Sequence, residues 1–216
     1  MAAQSKAWNW TKVTDDIWTK PSEDVYYYVN RWRSMGFNKF LDLGCGLGRH
    51  SILFAESGFE TDAFDLSQDG LDILNEKASE RGLSIKIAKG DINSLPYNSD
   101  TFDCLLAYHV ISHTDSQGIA GIVGEIGRVI KNGGEFFVTL CSKNSPSFLT
   151  GKYPKIDENT IIKTKEPEVG IPHLYADADG IRQIFHAFEI IKLRQVQDFF
   201  DNTSSWHYFV HAKKPY

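Results

Sequence analysis

Cysteine is scarce in this sequence, and the little there is carries no metal-binding pattern. Cys45, Cys104 and Cys141 form an odd set without paired ligand spacing, so no metal is expected and each reads as a small buried hydrophobe. Thiols used in that way suit a reducing compartment. Long apolar runs are also missing. The opening residues, MAAQSKAWNWTKV, hold no apolar signal-peptide core, and no stretch approaches the length of a membrane span. A cytoplasmic protein with no membrane partner is expected. Positive charge is in deficit: 23 Lys and Arg against 28 Asp and Glu leave a formal net charge of −5. That balance gives no footprint for a polyanion, which argues against DNA or large structured RNA as the main substrate. Internal repeats, low-complexity tracts and linker-like compositions are absent as well.

What is present is the material of one globular domain over 1–216. A chain of 216 residues that is 42% hydrophobic and 24% charged can bury a core without cross-links. Short β-rich apolar runs alternate with helical segments. Strands are expected at Asn38–Leu43, Thr61–Phe64, Ile85–Ala88, Thr101–Tyr108 and Glu135–Cys141. The fourth is a nearly continuous apolar run, which suits a strand buried on both faces of a parallel sheet. Helices are expected between them, at Arg49–Ser57, at Gln68–Glu80 with Ser67 as a hydroxyl N-cap, and at Gln117–Ile130. Gly133 and Gly134 then turn the chain into the fifth strand. Such alternation implies right-handed crossovers and a doubly wound α/β sheet. The end breaks the rhythm: a helix over Asp177–Phe188, then strands Glu189–Val196 and Trp206–Ala212, antiparallel neighbours across the polar stretch Asp198–Ser205. Residues 142–176 show no regular period, and a stretch of that length is expected to serve the substrate side. Residues 1–37 read as an aromatic-rich extension. Val25, Tyr28, Val29 and Trp32 stand at helical spacing within it.

The strongest local signal is Leu41-Asp42-Leu43-Gly44-Cys45-Gly46-Leu47-Gly48-Arg49-His50. A strand running through Gly-x-Gly-x-Gly into a helix makes a sharp turn that bares its backbone to a ligand beside helix-start amides. Nicotinamide and flavin binders share such turns, but a pyrophosphate-binding turn prefers a longer gap before its third glycine. Asp65 ends the second strand about twenty residues later, where a carboxylate can grip ribose hydroxyls. Alone, it could equally be a loop or capping residue.

These segments, taken in order, match a family. LDLGCGLGRH, AFDLS, KGDINSLPYNSDTFDCLLAYHVISH and EIGRVIKNGGEFFVTL resemble the S-adenosylmethionine-dependent methyltransferases with a seven-stranded Rossmann-like fold, over roughly residues 38–141. The resemblance implies a sheet of order 3-2-1-4-5-7-6, its last strand antiparallel, with helices on both faces. It implies S-adenosylmethionine as cofactor, S-adenosylhomocysteine as product, and a small-molecule methyl acceptor. Gly44, Cys45, Gly46 and Gly48 would lie beneath the methionine portion and ribose, with Asp42 reaching the amino group through water. Asp65 would hold the ribose hydroxyls and Leu66 one adenine face. Asp91 would accept from the exocyclic amine while Ile92 packs on the ring. Ala107, Tyr108 and His109 would border the methyl donor.

His109 is the candidate for proton transfer, since imidazole titrates near neutral pH; lining the pocket without proton transfer is its other reading. His113 is expected to be structural. His173 and Tyr175, in Ile171-Pro172-His173-Leu174-Tyr175, are candidate acceptor contacts, as is Arg49 or Arg182 if the acceptor is anionic. Trp18 and Tyr27 are candidate lid contacts, because an aromatic face near a sulfonium gains cation–π attraction; packing an added helix is the plainer alternative. Three other functions compete. A nucleic-acid or protein methyltransferase is disfavoured at the base-modifying end because Tyr108-His109-Val110-Ile111 replaces an Asn/Asp-Pro-Pro-Tyr element. A catalytically silent cofactor-binding module would retain the same glycines and acids. A nicotinamide dehydrogenase is disfavoured by the glycine spacing. Monomer and homodimer are both compatible with the sequence.

Overall fold

The computed structural model describes residues 5–10, 16–166, 168–200 and 203–216. Its first helix, α1 (Glu23–Ser34), is followed by β1 (Lys39–Leu43), α2 (Arg49–Glu56), β2 (Glu60–Asp65), α3 (Gln68–Glu80), β3 (Ile85–Lys89) and β4 (Phe102–Ala107). Then come α4 (Gly118–Val129), β5 (Ile130–Ser142), α5 (Pro146–Leu149), β6 (Thr160–Ile162), β7 (Pro172–Ala176), α6 (Ala178–Ile184), β8 (Glu189–Phe200) and β9 (Thr203–Lys213). Strands β3, β2, β1, β4 and β5 pair in parallel in that order. β9 runs antiparallel along β5, from Glu135 opposite Lys213 to Cys141 opposite His207, and β8 pairs antiparallel on its far side. Numbering the main strands alone, this is the expected 3-2-1-4-5-7-6 order with the last strand reversed.

Period-two alternation explains why helices cover both faces. Leu41, Leu105, Phe136 and Val210 join one core with Ile119, Ile122 and Ile126 of α4 and Ile181 of α6. Their neighbours Phe40, Cys104, Leu106, Phe137 and Phe209 turn the other way, onto Val25, Tyr28, Val29 and Trp32 of α1 and Phe54 of α2. The N-terminal helix is therefore packed on the sheet along the face its spacing marked out. It is also bolted there. Buried Glu135 on β5 accepts from Arg31 Nε and Nη2 at 2.8 and 2.6 Å, from Trp32 Nε1 at 2.9 Å, and meets His211 Nε2 at 2.8 Å. Removing one partner of so buried an ionic cluster costs about 3–5 kcal/mol.

The structure departs from the expected elements in five places, one being β5, which starts at Ile130 and holds Gly133 and Gly134 within the strand rather than in a turn before it. Residues 142–176 are not patternless: they hold α5 and the β6–β7 hairpin, whose β7 joins the end of β5 through Cys141–Tyr175 and Ser142–Ala176. Strands of three and five residues are too short to print a period. Strands β8 and β9 run on through the polar stretch, pairing Asp198 with Ser205 and Phe199 with Ser204, since a backbone ladder does not require apolar side chains. Helix α6 stops at Ile184. Ser67 stands at the N-cap of α3, yet its hydroxyl makes no capping bond; its N–H is instead taken by Asp65 Oδ1 at 2.8 Å. Among the described residues no helix is long and apolar enough to cross a membrane.

Candidate functional site

The carboxyl ends of β1, β2, β3 and β4 open into one cleft, as expected at the switch point of an α/β sheet. Its cavity holds only about 90 Å³, small beside the ~300–1,000 Å³ usual for ligand clefts, with the rings of Trp8, Trp10 and Trp18 among its lining. Its floor is the turn after β1. Gly44 and Gly46 adopt φ of 73° and 54°, a region open to glycine and costly for other residues. Space imposes the same choice. A Cβ on Gly44 would fall 2.4 Å from Val110, and one on Gly46 would fall 2.4 Å from the Trp10 ring. The turn hangs from the end of β2: Gly44 N–H and Cys45 N–H both donate to Phe64 O, at 2.7 and 3.1 Å.

Asp65 stands across the turn. Its Oδ2 accepts from Gly46 N–H at 2.8 Å and its Oδ1 from Ser67 N–H at 2.8 Å. Burial pushes its carboxyl above the usual range, against the pull of the Ser67, Gly46 and Leu66 amides. Asp91 differs. Burial raises it, but the Asn93 amide and the Ser5 hydroxyl outweigh that and leave it below the usual range. Leu66 and Ile92 complete this side.

The opposite wall is made of imidazoles. His109 follows β4 at φ 57°. Its N–H donates to Thr139 Oγ1 at 2.8 Å, and the same hydroxyl meets its Nδ1 at 3.1 Å. Thr139 is fully buried, and a buried hydroxyl proton needs an acceptor. Nδ1 is that acceptor, which leaves the proton of the neutral ring on Nε2. Burial, then the neighbouring His207 and Arg49, hold His109 well below the ordinary histidine range. His113 is pushed down by burial to about 3 and His207 to about 4. The His109 and His207 rings are 4.2 Å apart, and those of His113 and His173 4.7 Å.

A strip of the N-terminus covers both walls. Trp8 and Trp10 stack at 5.7 Å, and Trp18 lies 5.7 and 5.9 Å from them. Trp8 also stacks on His113, and Trp18 meets His109 edge-on at 6.5 Å. Ser5 accepts from Asn93 Nδ2 at 3.2 Å, and Lys6 Nζ donates to Val169 O. The indole nitrogens of Trp8 and Trp10 are buried without hydrogen-bond partners. Arg49 anchors the root of the strip: its guanidinium donates to Ile17 O and Lys20 O and lies 5.2 and 5.4 Å over the Trp18 and Tyr108 rings. Ser22 adds bonds to His50 Nε2 at 3.2 Å and Tyr108 Oη at 2.9 Å.

Of the residues singled out from sequence, Trp18, Gly44, Cys45, Gly46, Arg49, Asp65, Leu66, Asp91, Ile92, Tyr108 and His109 line this cleft. Others stand elsewhere. Asp42 is buried behind the turn, accepting from Ser51 Oγ at 2.6 Å, with its carboxyl raised by burial to about 7. Gly48 starts α2 against Leu74. Ala107 is fully buried in the sheet core. Tyr27 is 55% exposed on α1, because Val25, Tyr28 and Val29 take the inward face and turn it outward. His173 and Tyr175 are buried on β7, outside the cleft lining; the Tyr175 hydroxyl bonds Ser147 Oγ at 2.8 Å. Arg182 is exposed on α6, paired with Asp179 at 2.9 Å. Sequence reasoning missed Ser5, Lys6, His50 and Val110, whose positions depend on contacts across the chain. It took His113 as structural, whereas His113 faces the cleft.

Comparison with known proteins gives a consistent picture. Residues 40–134 match the family described as a methyltransferase domain. The chain is 30% identical over 138 residues to the malonyl-(acyl-carrier protein) O-methyltransferase of Salmonella typhimurium, covering 63% of this chain and 52% of that one. It spans about half the length, or less, of the curated relatives it matches. A methyltransferase structure from Methanosarcina mazei superposes with a TM-score of 0.75 at 17% identity, covering 91% of this chain and 99% of that one. The Burkholderia thailandensis 1,6-didemethyltoxoflavin-N1-methyltransferase, solved with its substrate and S-adenosylhomocysteine, gives 0.69 at 15% identity, over 93% and 82% of the two chains.

Proposed function

We propose that the chain is an S-adenosylmethionine-dependent methyltransferase, a reading supported by the match of residues 40–134 to a methyltransferase domain, and that it methylates a small-molecule nucleophile, releasing S-adenosylhomocysteine. One observation carries the reading. A bare-backbone turn and a carboxylate meet on the floor of the cleft, where Gly46 N–H donates to Asp65 Oδ2 at 2.8 Å. The residues present fit the cofactor. The bare turn at Gly46 lies under the Trp10 ring, which has to move aside for the cofactor, and Asp65 retains lone-pair capacity beyond the amides it accepts, which ribose hydroxyls can use. Gly44, Cys45 and Gly46 would hold the methionine and sugar side, Leu66 and Ile92 the adenine faces, and Asp91 the exocyclic amine. Asp42 would act behind the turn, by fixing Ser51 and the start of α2, rather than on the cofactor.

When bound, the cofactor supplies a methyl group on a sulfonium, open to in-line displacement. The chain's task is then alignment and exclusion of water, and alignment of two reactants is worth ~7–11 kcal/mol of barrier. The imidazole wall suits an acceptor. His109, neutral and protonated on Nε2, offers a hydrogen-bond donor that orients the acceptor; its other nitrogen is engaged by Thr139, so it does not serve as the base. The stacked indoles of Trp8 and Trp10, with Trp18 tilted beside them, cover the cleft and keep water out of it. A formal net charge of −5 and acceptors such as the toxoflavin precursor named for a structural neighbour both favour a small molecule.

Calorimetric titration of the full chain with S-adenosylhomocysteine, S-adenosylmethionine and NAD tests the proposal. One-to-one binding of the first two and none of NAD is expected, followed by S-adenosylhomocysteine release when small oxygen, sulfur and nitrogen nucleophiles are added. Binding of NAD alone, or of none of the three, would overturn it.

A further inference from the structure

Behind the imidazole wall, three side chains from separate segments converge. His113 lies in the turn after β4, Glu168 in the loop between β6 and β7, and His173 on β7. One ligand-type atom from each falls within 4.8 Å of the other two. His173 is the informative member. Its Nδ1 lies 3.1 Å from Ile171 O, a contact that needs an N–H on that nitrogen. A neutral ring so bonded turns the Nε2 lone pair on Glu168 Oε1, 2.9 Å away. Two lone pairs do not face each other at that distance without a proton or a cation between them.

The surroundings favour a cation. A metal-ligating histidine characteristically donates its remaining N–H to a carbonyl or carboxylate, and a ligating carboxylate is itself held by a further partner. Ile171 O plays the first part. Lys163 Nζ, 3.5 Å from Glu168 Oε2, plays the second and leaves Oε1 for the histidines. The imidazole nitrogens of His113 make no hydrogen bond among the described residues, so its lone pair is available. Two imidazoles and one carboxylate suit zinc-like transition ions rather than magnesium, and three protein ligands leave a coordination position open. That position adjoins the cleft, because His113 lines it.

We propose that His113, Glu168 and His173 bind one divalent transition-metal ion at the acceptor side of the cleft. The site explains why a carboxylate is brought within 2.9 Å of one histidine and beside a second. Its consequence for chemistry rests on the methyltransferase reading above: the open position takes an oxygen or sulfur acid, an alcohol, phenol or thiol, and the ion lowers its pKa. The proton is lost to solvent and the resulting anion is the nucleophile. No separate base is needed, in keeping with the engaged Nδ1 of His109.

The test is calorimetric titration of the chelator-stripped full chain with Zn²⁺, repeated with Co²⁺ to read ligand geometry from its visible spectrum. One ion per chain and a tetrahedral cobalt spectrum are expected. Glu168→Gln and His173→Asn should each weaken zinc by at least about a hundredfold, with far-UV circular dichroism of the metal-free chain confirming that each variant folds. Zinc binding that is absent, or equal in the wild type and Glu168→Gln, overturns the site and makes His173–Glu168 an imidazolium–carboxylate pair only. Titration with S-adenosylhomocysteine separates the two proposals: zinc without nucleoside binding retains the metal site and sinks the methyltransferase reading, and nucleoside without zinc does the reverse.

Discussion

The two walls of the cleft solve different problems with different materials. The wall formed by the Gly44–Gly48 turn, Asp65 and Asp91 is backbone and carboxylate. Each part follows the end of its own strand, and apart from Ser5 at Asp91 its hydrogen-bond partners are near in sequence or on the neighbouring strand. The facing wall is imidazole: His109 and His113 after β4 line it, backed from outside the cleft by His207 from β9 and His173 from the β6–β7 hairpin. Nothing local holds these four together. The first wall is what a fixed ligand requires, since sugar and nucleobase offer the same hydroxyls and edges in every turnover. The second is assembled from the segments that follow β4 and β5, the first of which touches the turn where Val110 packs on Gly44. A constant reagent on one side and a chosen acceptor on the other would call for this division.

Substitutions can break that comparison or sharpen it. The largest effect is expected at Asp65. Asp65→Ala should weaken S-adenosylhomocysteine about a hundredfold or more, as charge-assisted hydrogen bonds of roughly 1.5–3 kcal/mol each are lost. Asp65→Asn, which keeps an acceptor for Gly46 N–H, should cost less. Zinc affinity measured on the same samples should not move; a parallel fall would show that the walls are not independent.

Trp10→Ala should act in the opposite direction. Its ring rests on Gly46, with an unpartnered indole N–H, so a ligand lying on Gly46 has to displace it. Calorimetry should show S-adenosylhomocysteine binding about tenfold tighter, equal to 1.4 kcal/mol. Weaker binding would make the indole a wall of the nucleoside site rather than its competitor. The smallest effect is expected at His109. An essential general base contributes ~10²–10⁴-fold, whereas a neutral donor should cost His109→Gln only a few-fold in kcat. The sign of its pH dependence follows from burial. With its pKa held well below the ordinary value, His109 is uncharged from pH 6 to 8, so wild type and variant should share one profile there and diverge only in acid.

The same contrast governs what could be read from the sequence. The glycine turn and Asp65 were marked out by a strand end and the few residues after it, and Asp91 by the family resemblance; all three line the cleft or its turn. Asp42 and Ala107 were in the right segments on the wrong side, as a strand shows alternate residues to opposite faces. Tyr27 was lost to the equivalent helical rule, although Val25, Tyr28, Val29 and Trp32 already marked the inward stripe. The histidine wall was illegible for another reason. His113 and His173 meet because β7 adds to the end of β5 through two residue pairs and Leu174 N–H donates to Ser112 O at 2.8 Å, and a ladder that short leaves no periodicity. The tryptophans were visible as an aromatic excess, but only contacts with Gly46 and His113 say what they cover.

Trp8 and Trp10 are two positions apart on one strand of chain, their rings stacked, one on the histidine side and the other on the glycine side. They act as two leaves of one door. The strip cannot swing away from Gly46 while staying latched over His113, so the two compartments should open in a single event, and admission of the reagent should set the earliest moment at which an acceptor can follow it in.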